Sequence, residues 1–176
     1  MKRLKRNQRR LYLILHNIRS LHNVGSCFRT ADGAGAAKIF LTGYTGKPVD
    51  KFGRLYKEIK KTALGAEEII PWEYHKNVSQ AIEKLKKEKV FVVALEQSPD
   101  AIDYKIFREK YGKILNDFTG IALVVGNEVR GLSSQILKKC GATIEIPMAG
   151  RKESLNAAVA CGIALFEFRI EFRRNI

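Results

Sequence analysis

An α/β fold, a parallel sheet with helices on both faces, is what this sequence predicts, and three observations carry that prediction. Short apolar, β-rich runs alternate with segments whose apolar residues recur at helical spacing, the pattern of strands joined by crossover helices. Polar residues and glycines gather where those runs end, which is where open α/β folds build ligand sites. A length of 176 residues with 45% hydrophobic content supplies one full core and leaves little for a second.

Taken in order, residues 1–10 hold Lys2, Arg3, Lys5, Arg6, Arg9 and Arg10 and no acid, and read as a basic N-terminal arm ahead of a single domain over residues 11–176. Strands are expected over 11–15, 38–42, 90–95, 121–125 and 143–146. Between the first two, Val24, Phe28 and Ala31 fall on one face of a helix. Residues 43–54, rich in Gly, Thr, Lys and Pro, read as a mobile loop. Ala81 and Leu85 among lysines give an amphipathic helix, and residues 134–139 a short one. Residues 97–116, with Pro99 and Gly112, are expected to be irregular with one helix. In the last helix Leu155, Val159, Ile163, Phe166 and Ile170 form the longest apolar stripe. Ala157, Ala158, Ala160, Gly162 and Ala164 give it small side chains that let another backbone approach. No internal repeat and no low-complexity tract is present.

The formal net charge of +14 points to a polyanionic partner, because clustered Lys and Arg gain by releasing counterions condensed on phosphates. The arm alone reads also as a solvated tail or as a group drawn to an anionic membrane surface. Nucleic acid is favoured because the excess persists in Arg54, Lys57, Lys60 and Lys61 and in Lys84, Lys86, Lys87 and Lys89, with no Trp- or Leu-faced basic helix. No apolar run approaches the ~18 residues of a membrane span, and His16, Asn17 and Arg19 interrupt the first one, so neither signal peptide nor anchor is expected. Cys27, Cys140 and Cys161 are odd in number and lack CxxC spacing, so neither a disulfide framework nor a zinc site is indicated and the cytoplasm is the default expectation. His16, His22 and His75 are scattered, so no metal is expected. No GxGxxG follows the first strand, which disfavours an ordinary Rossmann-type cofactor site, and Trp72 beside Pro71 reads as packing.

Three segments carry chemistry. In the first, Asn23 is placed to cap a helix starting near Val24, with Gly25 and Ser26 keeping its mouth narrow and Arg29 more than a turn inside. Alone, the pair Asn23 and Arg29 reads more simply as a cap and a surface charge. In the second, Gly126 ends an apolar run and lets a ligand touch backbone, while Glu128 and Arg130 project from the following loop. A plain strand-to-helix turn explains that segment equally well. In the third, Pro147 removes an amide donor between Ile146 and Met148, and Ser154 is placed to cap the last helix with Asn156 in its first turn.

Together these segments resemble the TrmH/SpoU family of S-adenosylmethionine-dependent RNA 2′-O-ribose methyltransferases, within the SPOUT superfamily, from about residue 11 to about residue 167. Thr30, Ala31 and Gly35 match its pattern as well. One departure stands out: Ala157, Ala158 and Val159 follow Ser154, Leu155 and Asn156 where Val-Ser-Val is the family's habit. Residues 60–67 are similar to a segment of some TrmH-like sequences, with no role assigned to any residue in it.

The resemblance implies a SPOUT-type fold with a deep trefoil knot in its C-terminal half, which general experience of chain threading would argue against. It also implies a homodimer with the site near the interface, and methyl transfer to a ribose 2′-hydroxyl of structured tRNA or rRNA. The catalytic set it implies is Arg29, Asn23, Glu128, Ser154 and Asn156. S-adenosyl-L-methionine would rest on Leu95, Gly126, Ile146, Met148 and Leu155. The rival readings are a SPOUT base methyltransferase and a non-catalytic RNA- or ribosome-binding protein of the same fold.

Overall fold

The computed structural model describes residues 9–173. Lys2, Arg3, Lys5 and Arg6 of the expected arm, and the side chain of Ile170, lie outside the described residues. The elements run β1 (Arg10–His16), α1 (Leu21–Ala34), β2 (Lys38–Thr42), α2 (Lys57–Ala63), α3 (Ala66–Ile69), β3 (Trp72–His75), α4 (Val78–Lys87), β4 (Val90–Leu95), β5 (Ile102–Asp103), α5 (Phe107–Tyr111), β6 (Gly120–Val125), α6 (Ser134–Leu137), β7 (Ala142–Glu145) and α7 (Ala157–Arg173). The strands form one sheet in the order β3-β2-β1-β6-β4-β7-β5, and every neighbouring pair is parallel.

Strand alternation divides the core into two layers. Leu11, Leu13 and Leu15 of β1 join Ile121 and Leu123 of β6 beneath α1 and α7, while Tyr12, Ile14, Ala122 and Val124 pack against α4 and α6 on the opposite face. Strands covered on both faces need apolar residues at every position. That is why β1, β2, β4 and β6 stand out in the sequence, whereas the edge strands β3 and β5 do not. In β3 (WEYH) the polar Glu73 is matched by neighbours instead of being buried in fat: it accepts from Lys38 at 3.3 Å and from Lys84 at 2.7 Å.

Three expectations need correction. Residues 43–54 are not an open loop. Val49 and Leu55 form an antiparallel bridge, and Asp50 accepts from the amides of Phe52 and Arg54 and from Arg54 Nε at 2.9 Å. The residues 97–116 contain β5, α5 and two short 3₁₀ turns, because Phe107 and Leu115 are buried and anchor them. In α7 the buried face is Ala157, Cys161, Ala164, Leu165 and Phe168, while Val159 (52% exposed) and Phe166 (43% exposed) of the expected apolar stripe face outward. Among the described residues no helix is long and apolar enough to cross a membrane.

α1 and α2 meet closely at Gly25. A Cβ there would collide with Thr62 Oγ1 and lie 2.6 Å from the Ile59 carbonyl oxygen, and Thr62 donates to the His22 carbonyl at 3.0 Å across the same junction. Alanine would improve helix propensity by up to ~1 kcal/mol but overpack a contact, at a cost of about 1–3 kcal/mol. Gly25→Ala is therefore expected to lower stability in urea unfolding by roughly 1 kcal/mol or more; a variant more stable than the parent would show that the two helices slide apart freely.

Candidate functional site

Leu15, Val125 and Leu95 lie side by side in register, so β1, β6 and β4 end at one level, and Leu95 pairs in turn with Ile144 of β7. Carboxyl ends of parallel strands, where the strand order reverses, are the usual ligand crevice of open α/β sheets. A cleft of about 350 Å³ opens there, walled by residues after β4, β6 and β7 and by the start of α7. All five expected cofactor residues, Leu95, Gly126, Ile146, Met148 and Leu155, line it, and so do Glu128 and Ser154.

The wall after β6 is held by groups the motif reading left out. Gly131 (φ +60°) donates its amide to Asn127 O at 2.8 Å, and a Cβ on Gly126 would sit 2.8 Å from the Gly131 carbonyl carbon, so the loop closes only with glycine at both ends. Asn127 is 5% exposed, and both ends of its amide are bonded. Nδ2 donates to the Asn17 carbonyl at 3.0 Å, and Oδ1 accepts from the amides of Val129 and Arg130 at 2.9 and 3.0 Å. Glu96, just past β4, accepts from Leu132 N at 2.6 Å and from Gln97 N at 3.0 Å. Gln97 then donates to Glu153 O at 2.7 Å and ties the β4 loop to the segment before α7. Asn127 follows Gly126 in the motif, where its residue type alone assigns it no role. Glu96 carried no signal beyond its place at a strand end.

Asn23 meets Glu128 and Asn156, which lie 105 and 133 residues further along the chain. Asn23 Nδ2 donates to Glu128 Oε1 at 2.6 Å, and Asn156 Nδ2 donates to Asn23 Oδ1 at 3.1 Å. The local roles differ from the expectation. Ser20, not Asn23, caps α1, its side chain accepting from Asn23 N at 3.3 Å. Asn156, not Ser154, caps α7, accepting from the amides of Ala158 and Val159 at 2.9 and 3.4 Å. Because capping occupies only Oδ1, the Asn156 amide N–H groups stay free to reach Asn23. One Asn23 N–H and Glu128 Oε2 are likewise left available for a ligand.

Arg29 stands apart. It is exposed on α1, does not line the cleft, and makes no hydrogen bond or ion pair among the described residues. Its neighbours Thr30 and Gly33 face Gly162 and Phe166 of α7. Beneath the other end of α1, His16 Nδ1 meets Thr42 Oγ1 at 2.9 Å while that hydroxyl donates to the Leu15 carbonyl at 3.2 Å, so the ring is the donor. Asn17 Nδ2 donates to His16 Nε2 at 3.0 Å, which completes a neutral ring with one proton, on Nδ1.

The chain matches the SpoU rRNA Methylase family over residues 10–166. A 23S rRNA (guanosine-2′-O-)-methyltransferase of Pseudomonas putida is 33% identical over 158 residues, which are 89% of this chain and 57% of that protein. An AdoMet-bound rRNA methyltransferase from Sinorhizobium meliloti superposes with a TM-score of 0.79 at 32% identity, covering 95% of this chain and 58% of that one. A protein solved for insight into 2-OH methylation of C/U34 on tRNA gives a TM-score of 0.72 at 25% identity, covering 93% and 96%. The chain spans 57% to 60% of the length of the curated relatives it matches.

Burial of His16 disfavours its charged form and lowers its pKa from 6.5. The unfolded chain therefore takes up the proton first as pH falls. Stability supplied by the neutral ring is present above about pH 6.5 and is lost as pH drops through the folded-state value. Urea midpoints measured from pH 7.5 downward should show that loss, and His16→Gln, which keeps a donor and an acceptor but cannot titrate, should remove it; equal slopes for the two proteins would exclude His16 as its source.

Proposed function

The chain belongs to the SpoU rRNA methylase family, and from that premise we propose that it transfers a methyl group from S-adenosylmethionine to a ribose 2′-hydroxyl of rRNA or tRNA. The observation that carries this reading is the Glu128–Asn23–Asn156 relay, anchored on the strand-end cleft by Glu128, which lines it, and by Leu155 and Ala157 on either side of Asn156. The cleft suits the cofactor chemically. Its volume of about 350 Å³ lies in the range of small-molecule sites. Leu95, Ile146 and Leu155 offer an apolar slot for adenine with strand-end backbone at its edge, and Glu128, Glu145 and Glu153 offer negative charge to a cationic donor.

When bound, the cofactor supplies an electrophilic methyl group on a sulfonium, whose S–C bond breaks as the new O–C bond forms. The task left to the protein is to make a ribose hydroxyl a good nucleophile and to hold it in line. Arg29 is assigned to that task. A guanidinium with a pKa above ~12 is no base, so Arg29 stabilises the developing alkoxide while a substrate phosphate takes the proton. It has no carboxylate partner among the described residues, which leaves it available for that anion. The amide relay, with Ser154 beside the cleft, positions ribose and cofactor.

The reading includes a homodimer that brings Arg29 toward a cleft, supported by the outward Val159 and Phe166 on α7 next to the Arg29 face of α1. It includes a deep trefoil knot formed by the C-terminal half, supported by the way residues 145–155 close the cleft against the loops after β4 and β6 before α7 returns beneath the sheet. Residues 11–176 are taken as one methyltransferase domain in the cytoplasm, and residues 1–10 as an arm for RNA phosphates.

Calorimetry should show saturable binding of S-adenosylmethionine that survives a chelator, and single-turnover assays should show 2′-O-methylation of rRNA or tRNA transcripts. Arg29→Ala should cut that turnover by on the order of 10²-fold while leaving cofactor affinity unchanged. Arg29→Lys should rescue little, because lysine lacks the planar fork that spans a 2′-oxygen and an adjacent phosphate. Wild-type turnover in Arg29→Ala would remove the assignment, and absence of cofactor binding would favour a non-catalytic RNA-binding protein.

A further inference from the structure

Four of the five exposed aromatics among the described residues, Tyr44, Phe52, Tyr56 and Tyr74, cluster at one end of the molecule, on and beside the hairpin of residues 43–56. Three of them lie under cations. Arg19 sits 5.8 Å from the Tyr44 ring, Lys47 sits 4.7 Å from Tyr74, and Phe52 has Lys51 at 4.9 Å and Arg54 at 5.0 Å. Phe52, at 68% exposure, stands on a hydrogen-bonded turn: Asp50 accepts from its amide at 2.8 Å and from Arg54 at two more points, and Gly53 (φ +79°) completes the bend. Asp50 is the sole acid in residues 43–57, and those bonds consume it. Under the hairpin lies a second cavity of about 470 Å³, with Leu21, Val49, Tyr56 and Trp72 as apolar walls and Lys47 and Lys51 at its rim.

This surface is physically joined to the proposed methylation site. Asn17 accepts from Asn127 with its carbonyl and from Tyr44 N with its side chain at 3.1 Å, so one residue braces both the cleft wall and the hairpin base. Leu21, which walls the second cavity, precedes Asn23 of the relay by two residues, about 3 Å along the helix axis.

Building on the reading that the substrate is RNA, we propose that the hairpin of residues 43–56, with Leu21 and Trp72, is the subsite that stacks an unpaired base flanking the methylated nucleotide, so that the enzyme selects single-stranded loops over duplex. Exposed rings beside cations fit a nucleotide strand, because each base offers a π-face and each linkage an anion. A base inside a duplex has its faces covered by its neighbours, so such a platform discriminates against it. An apolar protein partner would leave the cations unmatched. Trp72, first read as packing only, then serves as the floor of a ligand cavity as well.

The test uses the full chain with a fluorescently labelled ten-nucleotide single-stranded RNA of mixed sequence, and the same strand annealed to its complement. Phe52→Ala should weaken single-strand binding roughly tenfold, with a much smaller effect on duplex, and Phe52→Trp should restore it. Lys51→Ala should flatten the salt dependence, removing about 0.7 from the log–log slope if it holds one phosphate. Calorimetry with S-adenosylmethionine should be unchanged in all three. Single-strand affinity unaltered in Phe52→Ala, no binding of the strand by the wild type, or a change in sedimentation in place of RNA binding, the last marking the hairpin as a contact between copies, would each overturn the proposal. Phe52-dependent RNA binding by a chain that binds no cofactor would keep this subsite and remove the methyltransferase reading.

Discussion

The Asn23 side chain is where the molecule is tied together. Its amide nitrogen holds Glu128, from the loop after β6, and its oxygen is held by Asn156, the cap of α7. A single neutral group thus fixes the first turn of α1, the cleft wall and the start of the last helix relative to one another. Hydrogen bonds to a charged acceptor stabilise more than neutral ones, about 1.5–3 kcal/mol, so the Asn23–Glu128 contact is the stronger half. An aspartate at position 23 would keep an acceptor for Asn156 but set a carboxylate against Glu128, losing the stronger half and replacing it with repulsion. The geometry at the cleft therefore depends on an amide at position 23, able to donate on one side and accept on the other.

Around that tie, rigidity comes from backbone constraints more than from long side chains. Gly126 and Gly131 allow the β6 loop to fold on itself, and Asn127 fills it with three hydrogen bonds that satisfy otherwise buried groups. Glu96 does the same for the β4 loop, and Gln97 links that loop to residue 153. The strand ends beneath are fixed by the register that aligns Leu15, Val125 and Leu95. A site on such ends stays within narrow tolerances without help from a lid.

The parts of the fold buried on both sides were legible, because double burial forces continuous apolar runs and leaves no other reading for residues 90–95 or 121–125. Edge strands escaped notice since four residues such as WEYH satisfy their backbone at the sheet without an apolar pattern. The orientation of α7 misled for a different reason. Small residues carry little weight in a hydrophobic stripe, yet Ala157, Cys161 and Ala164 are what lets the helix lie close, and the larger Val159 and Phe166 are turned outward. Motif residues were found as types but not as partners. Nothing in the spacing of Ser20, Asn23, Ser154 and Asn156 tells which of two adjacent polar groups caps a helix and which faces a ligand, since either satisfies the free amides of the first turn. Asp50 in the hairpin was equally silent, being one acid among many in the sequence until its three hydrogen bonds are seen together.

Charge is sorted across the surface in a way that suits two ligands of opposite sign. Four carboxylates, Glu96, Glu128, Glu145 and Glu153, gather at the cleft beside a single cation, Arg130, while the hairpin and α2 present Lys47, Lys51, Arg54, Lys57, Lys60 and Lys61. In a chain carrying +14 overall, an acidic cleft is a local exception that must be built. Under the proposed reaction a cationic methyl donor and a polyanionic acceptor would otherwise be drawn to each other's sites, and the separation would steer each to its own. The neutral relay Asn23–Asn156 then stands on the boundary. In the proposed reaction it would orient a ribose without favouring either charge, and stabilisation of the nascent oxyanion would fall to the exposed cation of Arg29. In the proposed reaction a charge in place of either amide would pull one ligand out of line to satisfy itself, whereas an amide would bind both only in the geometry in which they meet.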